Sequence, residues 1–203
     1  MGLYSQRTEY PVTSRRELIL ETAVRLFRER GYHATGIDKI IAESGVAKMT
    51  LYRYFKSKDE LILAALRRWD EQSRHWLVTE ITARSKSVEE RPLVLFDVLD
   101  DWFDTNDFKG CMFINAAAEY SDHDDPIHTA AAEHKRLFRR YLREQIVAGG
   151  YDNADELTDQ IVFLMEGAIV TAQVSRQRGA GARARKAAET LLSNEETARR
   201  HVN

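Results

Sequence analysis

The stretch from Val46 to Leu61, VAKMTLYRYFKSKDEL, gathers one threonine, two tyrosines, a phenylalanine, an arginine and three lysines into sixteen positions. On a helix covering 48–55, Leu51 and Phe55 lie four apart and share one face, so Lys48, Met49, Tyr52 and Arg53 point elsewhere. The outer face is then polar, aromatic and basic. Hydroxyls and cations so placed can meet phosphate oxygens, and a short helix standing proud of its neighbours fits the major groove of duplex DNA. The competing reading has the tyrosines packing and the lysines solvating a surface, and composition alone does not separate the two. Charge is unevenly spread: between Arg15 and Asp59 ten Lys/Arg stand against six Asp/Glu, in a chain whose net charge is −2. The acid excess therefore sits outside this segment, and such asymmetry hints at a polyanion-binding end.

These residues must be positioned by the rest of the chain. Its 203 residues, 43% hydrophobic and 31% charged, can bury one good core or a small domain packed on a larger one. The apolar runs PLVLFDVLDDWF and IVFLMEGAIVTA are short and interrupted by acids, so no membrane span is expected. The N-terminal stretch lacks the apolar core of a secretory signal, which makes the cytoplasm the expected location. A lone cysteine, Cys111, fits a reducing compartment and reads as a small core residue rather than a redox centre.

Three prolines, ten glycines and the near absence of alternating strand patterns predict an all-α fold. Residues 1–13 carry no periodicity and read as a flexible arm. Ser14 and Glu17 have the spacing of a capping box and open a first helix with Leu18, Ile19, Ala23, Leu26 and Phe27 inward and Gly31 as its stop. Thr35 is the candidate cap of a short helix carrying Ile37, Ile40 and Ile41, which Gly45 ends. A second short helix follows over 48–55, so that two short helices about a glycine turn, braced by a longer one, form a helix-turn-helix unit. Ser57 to Glu60 repeats the capping signature and launches a long helix to about Arg84. Further helices are expected over 92–105, with Leu95, Phe96, Leu99, Trp102 and Phe103 as its stripe, then 112–120, 126–147, 154–178 and 182–192, the last set off by the Gly179–Gly181 break. The expected divisions are a DNA-binding domain over 14–61 and a larger helical domain over 62–203.

The segment TGIDKIIAESGVAKMTLYRYFKSKDEL resembles the DNA-binding domain of TetR-family transcriptional regulators, and G-V-x-x-x-T-L-Y-x-Y-F-x-S-K, Gly45 to Lys58, is its most specific part. The resemblance spans about Ser14 to Leu61 and implies roles for matching positions. Thr35 would touch a phosphate; Ala47, Lys48, Met49 and Thr50 lie where the recognition helix meets bases or backbone; Tyr52 reaches the groove; Tyr54 and Lys58 grip phosphate with help from Arg53. Two departures stand out. Ile41 replaces the usual small alanine before the turn glycine, and Met49 replaces the glycine common before T-L-Y, offering a long apolar side chain to a thymine methyl. The run Gly110 to Tyr120 also resembles a subset of the family.

For the larger part, the resemblance implies a helical domain that binds a small-molecule effector and forms a homodimer on a double-stranded, near-palindromic operator. A pocket between helices needs apolar walls with a few polar groups. Trp69, Phe96, Trp102, Phe113 and Phe163 are candidate walls, with Asn115, Glu119 and Glu166 as polar groups. The helix over 154–178 carries Ile161, Leu164, Met165, Ala168 and Ala172, a stripe suited to close approach of a partner helix, with Leu191 and Leu192 added from the last helix. The run SDHDDPIH, Ser121 to His128, does not match a standard metal motif, and the basic tail reads as a solvated helix face. With no nucleophile elbow, P-loop or dinucleotide fingerprint, no enzyme activity and no cofactor are expected. The two alternatives are an activator of the same fold and a helical carrier of small molecules without DNA function.

Overall fold

The computed structural model describes residues 14–202, with side chains described as far as Ser193; the expected arm at 1–13 lies outside the described residues. Among the described residues the chain forms nine helices and no strand: α1 (Arg15–Arg30), α2 (Ile37–Ser44), α3 (Lys48–Tyr54), α4 (Lys58–Arg84), α5 (Arg91–Phe103), α6 (Met112–Glu119), α7 (Pro126–Ala148), α8 (Ala154–Ser175) and α9 (Ala180–Val202). The all-α expectation holds.

Local chemistry explains most helix ends. The Glu17 N–H donates to the Ser14 hydroxyl at 3.2 Å, starting α1, while the Glu17 carboxylate pairs with Arg68 of α4. At α4 the box works in both directions: the Glu60 N–H donates to Ser57 Oγ at 3.1 Å and the Glu60 carboxylate accepts from the Lys56 N–H at 2.7 Å. Asp125 Oδ1 accepts from the Ile127 N–H at 2.7 Å and starts α7 behind Pro126. Thr35 does not cap α2, whose N-cap is Gly36 with no side-chain cap bond.

Contacts divide the chain into two compact units. One unit holds the described residues up to Ser73 together with Cys111–His134; the other holds Arg74–Gly110 and the chain from Lys135 onward. In the first, α1, α2 and α3 pack on one another around Ile19, Leu20, Ala23, Val24, Leu26, Phe27, Ile40, Leu51 and Phe55. Leu18, expected inward, is exposed, because α1 is turned so that Leu20 and Val24 take inner positions. Ile37 and Ile41 are half-buried. Cys111 is buried, as read for a core residue.

In the second unit α5, α8 and α9 pack together. Val94, Leu95, Phe96, Val98 and Leu99 of α5 face inward, while Trp102 and Phe103 are half-buried in a ring cluster with Phe108, at centroid distances of 4.8 and 5.0 Å. The glycine break does not hold off the last helix, which begins at Ala180. Gly181 sits inside its first turn, where its N–H donates to Asp100 Oδ1 at 2.9 Å and a Cβ would lie 2.8 Å from the Phe96 carbonyl oxygen, so α9 packs closely on α5 there. Among the described residues α8 is the one helix long and apolar enough to cross a membrane by length and composition; Ile161, Met165, Ala168, Ile169 and Ala172 on it are buried within the fold.

One electrostatic tie holds the first two helices together. Arg25 of α1 pairs with Glu43 of α2, which also takes Lys39 at 2.8 Å. Hydrogen bonds from Lys39 and Arg25 hold the Glu43 carboxyl down at about 2, against an ordinary value of 4.5. A carboxyl lowered on folding adds stability above its unfolded value and loses it as pH falls through the folded one. Glu43→Gln is therefore expected to lower the melting temperature by a constant amount above pH 4.5 and by progressively less as the pH falls from there towards about 2. Parallel thermal melts of the two proteins across that range check it.

Candidate nucleic-acid interface

The turn between α2 and α3 is set by Gly45, whose φ of 65° and ψ of 15° place it in the left-handed region and whose N–H donates to the Ile41 carbonyl at 3.0 Å. Glycine adopts that conformation without a Cβ penalty, which lets α2 stop and the chain reverse in one residue. Val46 is buried behind it, and Ala47, exposed and extended, becomes the N-cap of α3. Leu51 and Phe55 then anchor α3 in the core, as the four-residue spacing requires.

The outer face is what remains. Met49 is 86% exposed, an unusual position for an unbranched apolar side chain, and Tyr52 and Arg53 are exposed beside it. The Arg53 guanidinium lies over the Tyr54 ring, 5.2 Å from its centroid. Thr50 and Tyr54 are half-buried at the edge of this face. Lys48 Nζ is 3.2 Å from Asp38 Oδ1 of α2, in an exposed pair. Lys58 Nζ donates to the His33 carbonyl at 3.2 Å, which brings the first turn of α4 against the α1–α2 turn. Eight of the nine positions singled out in the sequence therefore form or border one face on α3 and the start of α4.

Thr35 is the exception. Its side chain is 0% exposed, and its hydroxyl donates to the Gly31 carbonyl at 2.7 Å, bracing the end of α1. A phosphate cannot reach that hydroxyl. Asp38, outside the matched positions, pairs with Lys48 from ten residues upstream. Only the turn at Gly45 brings the two side chains together, so no short-range pattern announces the pair.

The α1–α2 turn is held from a distance by α6. Both carboxylate oxygens of Glu119 are engaged: Oε1 accepts from the Tyr32 N–H at 2.8 Å and Oε2 from the His33 N–H at 2.5 Å. Gly31 makes this approach possible. Its φ is 82°, and a Cβ there would stand 2.6 Å from Glu119 Oε1. Tyr32 completes the joint by donating its hydroxyl to the Met112 carbonyl at 2.8 Å, and burial pushes its phenol well above the ordinary range.

The residues expected to line an effector pocket are largely used elsewhere. A cleft of about 510 Å³ opens between α4, α6 and α7, lined in part by Leu63, Leu66, Phe113, Pro126 and His134. Phe113 is the one expected wall residue in it. Glu119 serves the turn just described, and Trp69 is buried under the Arg28 guanidinium at 4.2 Å. Phe96 is core, Trp102 belongs to the ring cluster, Asn115 is half-buried on α6 and Glu166 is paired with Lys135 at 2.7 Å. Phe163 is 73% exposed on the outside of α8.

The expected dimer stripe is turned inward as well. Ile161, Met165, Ala168, Ala172 and Leu192 are buried within their own chain, and Leu164 and Leu191 are half-buried. The apolar side chains that α8 leaves in solvent are Phe163, Val170 and Val174, with exposed Gly167 between them.

A short anchored helix with a basic, aromatic outer face, set behind a tight glycine turn and a bracing helix, defines a helix-turn-helix DNA-binding protein. The comparisons agree. Family profiles described as "Bacterial regulatory proteins, tetR family" and "Tetracyclin repressor-like, C-terminal domain" match residues 19–65 and 89–188. The crystal structure of SCO4454, a TetR-family transcriptional regulator from Streptomyces coelicolor, superposes with a TM-score of 0.82 at 30% identity, covering 89% of both chains. An uncharacterized HTH-type transcriptional regulator of Bacillus subtilis, YxaF, is 28% identical over 166 residues, 80% of this chain and 87% of its own. Over 58 residues the chain is 48% identical to the HTH-type transcriptional activator FasR of Mycolicibacterium smegmatis, a match covering 29% of this chain and 26% of FasR. The chain belongs to the TetR family of DNA-binding transcriptional regulators and is not an enzyme.

The Glu119 joint yields a direct expectation. Glu119→Ala leaves two backbone N–H groups without their charged acceptor and should lower unfolding stability by about 1–3 kcal/mol, while Glu119→Gln, which keeps one acceptor oxygen, should lose less. Urea denaturation of the three proteins orders them.

Proposed function

We propose that this chain is a homodimeric, ligand-responsive repressor that places α3 in the major groove of each half of a near-palindromic operator and is released by a small-molecule effector. The observation that carries the reading is the outer face of α3: Met49 stands in solvent beside Lys48, Tyr52 and Arg53, while Leu51 of the same seven-residue helix and Phe55, its C-cap, are core. An exposed methionine there suits a thymine methyl, and the flanking cations suit phosphate. The contact set is Ala47, Lys48, Met49, Thr50, Tyr52, Arg53, Tyr54 and Lys58. Repression is the primary reading because a dimer seated across a promoter blocks it without further parts. The FasR likeness covers 29% of this chain and leaves activation as the alternative.

Dimerisation is assigned to the outer stripe of α8. Phe163, Gly167, Val170 and Val174 are spaced i, i+4, i+7 and i+11, so they share one helix face, and nothing lies within 4 Å of a Cβ built at Gly167. Two such faces can approach closely at the glycine and cover the exposed ring. A two-fold pair then presents its α3 helices about 34–36 Å apart, one turn of duplex. The effector enters the cleft between α4, α6 and α7, and it can shift the DNA-competent population only by binding the two states unequally. α4, continuous from Lys58 to Arg84 with residues in both units, is the candidate lever. The protein works in the cytoplasm, where its operator is.

Duplex selection followed by fluorescence anisotropy tests the reader. Tyr54→Ala and Lys58→Ala should weaken all operators alike, Lys58→Ala should lower the salt slope by about one, and Lys48→Ala or Met49→Ala should change sequence preference. Unchanged preference in both of the latter would overturn the placement of the reading positions. Phe163→Glu should shift sedimentation from dimer to monomer and cut palindrome affinity by at least about tenfold, because two linked half-sites become one.

A further inference from the structure

We propose that His123, in the turn between α6 and α7, and His128, in the first turn of α7, together chelate a divalent transition metal of the copper or nickel kind. Neither the DNA reading nor the effector cleft is needed for it. His123 Nδ1 lies 3.0 Å from His128 Nε2, with ring centroids 4.6 Å apart and ring planes at 82°. Two imidazole nitrogens therefore face each other at the separation of a chelating pair.

The backbone fixes one tautomer. His128 Nδ1 is 2.7 Å from the Tyr120 carbonyl oxygen, which can only accept, so Nδ1 carries the proton and the neutral ring turns its Nε2 lone pair towards His123. Metal-binding histidines generally hold their other ring N–H in this way, because the bond sets the ring orientation and raises the basicity of the ligating nitrogen. As the rings stand, His123 Nδ1–H can donate to His128 Nε2. His123 is exposed, so that proton can pass through water to its own Nε2; both lone pairs then face a shared ion, and no net proton is released.

Backbone and cap bonds hold the two histidines in place. The Asp125 N–H donates to the Asp122 carbonyl at 3.1 Å and the Asp124 N–H to Asp122 Oδ1 at 3.0 Å, closing the turn that carries His123. Asp125 Oδ1 accepts from the Ile127 N–H at 2.7 Å and sets where α7, and with it His128, begins. The five-residue interval is not a standard ligand spacing, and the turn supplies the approach that spacing alone does not announce.

The separation selects the ion. With metal–imidazole bonds of about 2.0–2.1 Å, nitrogens 3.0 Å apart subtend about 94° at the metal. That angle suits neighbouring positions of a square or octahedral set, as Cu(II) and Ni(II) take with nitrogen and oxygen ligands, and is narrower than the tetrahedral angle of structural zinc. Calcium and magnesium prefer oxygen ligands. Among the described residues no group of three or more His, Cys, Asp or Glu side chains could hold a metal ion, so the chain supplies two ligands and water the rest.

The test titrates the full chain with Cu(II), Ni(II), Zn(II) and Mg(II) chlorides in a non-coordinating buffer, beside His123→Ala and His128→Ala. Cu(II) should bind tightest and Mg(II) not at all, and each substitution should weaken Cu(II) at least about tenfold. Electron paramagnetic resonance of the Cu(II) form should count two nitrogen ligands in the unaltered chain and fewer in His123→Ala. Thermal melts check folding; His123→Ala removes an exposed ring and should melt with the parent, which keeps the test decisive if His128→Ala, robbed of its bond to Tyr120, unfolds. Equal Cu(II) affinity and nitrogen count in the parent and His123→Ala overturn the proposal and leave the pair as a hydrogen bond only. Cu(II) binding weaker than about 1 mM overturns it too.

Discussion

α3 has seven residues, too few to be stable as a helix in water, where isolated helices shorter than about 12–15 residues are marginal. It exists because Leu51 and Phe55 are seated in the core that α1 and α2 supply. That constraint fixes the rest of the reader. Two anchors four residues apart use one side of a two-turn helix, so Lys48, Met49, Tyr52 and Arg53 face out while Thr50 and Tyr54 lie half-buried at the edge. The glycine turn before it and the capped start of α4 after it then hold its two ends. A recognition surface of this kind is precise because the helix has no freedom to roll without withdrawing Leu51 or Phe55 from the core.

The reader was legible because its determinants are local. The S-x-x-E spacings at Ser14 and Ser57, the glycines at 31 and 45 and the Leu51/Phe55 interval each act within a few residues, and α4 runs from Lys58 to Arg84 as its cap and periodicity indicate. Thr35 shows the limit. A threonine after a turn carries the chemistry of a helix cap, yet here the hydroxyl reaches back to Gly31 and Gly36 takes the cap position. The choice depends on how the chain leaves α1, which composition does not state. Glu119 is a stronger case. Its partners are 86 and 87 residues away, so its role as the acceptor for Tyr32 and His33 is a product of the fold and could not be distinguished in sequence from a polar pocket residue.

α8 failed to declare its faces for a different reason. Ile161, Met165, Ala168 and Ala172 form one apolar stripe, and Phe163, Val170 and Val174 form a second on another side of the same helix. A helix apolar on two sides gives a weak periodic signal, and nothing local says which side meets its own chain. Small residues in a stripe permit close approach of a partner helix. The same property serves an intramolecular neighbour, and α5 and α9 are those neighbours. What remains in solvent is bulky, with a single glycine at its centre.

The uneven charge noticed in the sequence gains a physical meaning once α3 is placed. The segment from Arg15 to Asp59 is cationic in a chain of net charge −2, so the remainder is anionic and is repelled by duplex while the reader is attracted. Such a charge pattern favours encounters that present the cationic segment, since the remainder carries a net excess of charge of the same sign as phosphate. The Lys48–Asp38 pair fits this arrangement. Exposed pairs are worth about 0–1 kcal/mol, so the Lys48 ammonium leaves Asp38 at small cost. The long-range field comes from the charge of the whole chain, and the display of Lys48, Met49, Tyr52 and Arg53 from the core contacts of Leu51 and Phe55.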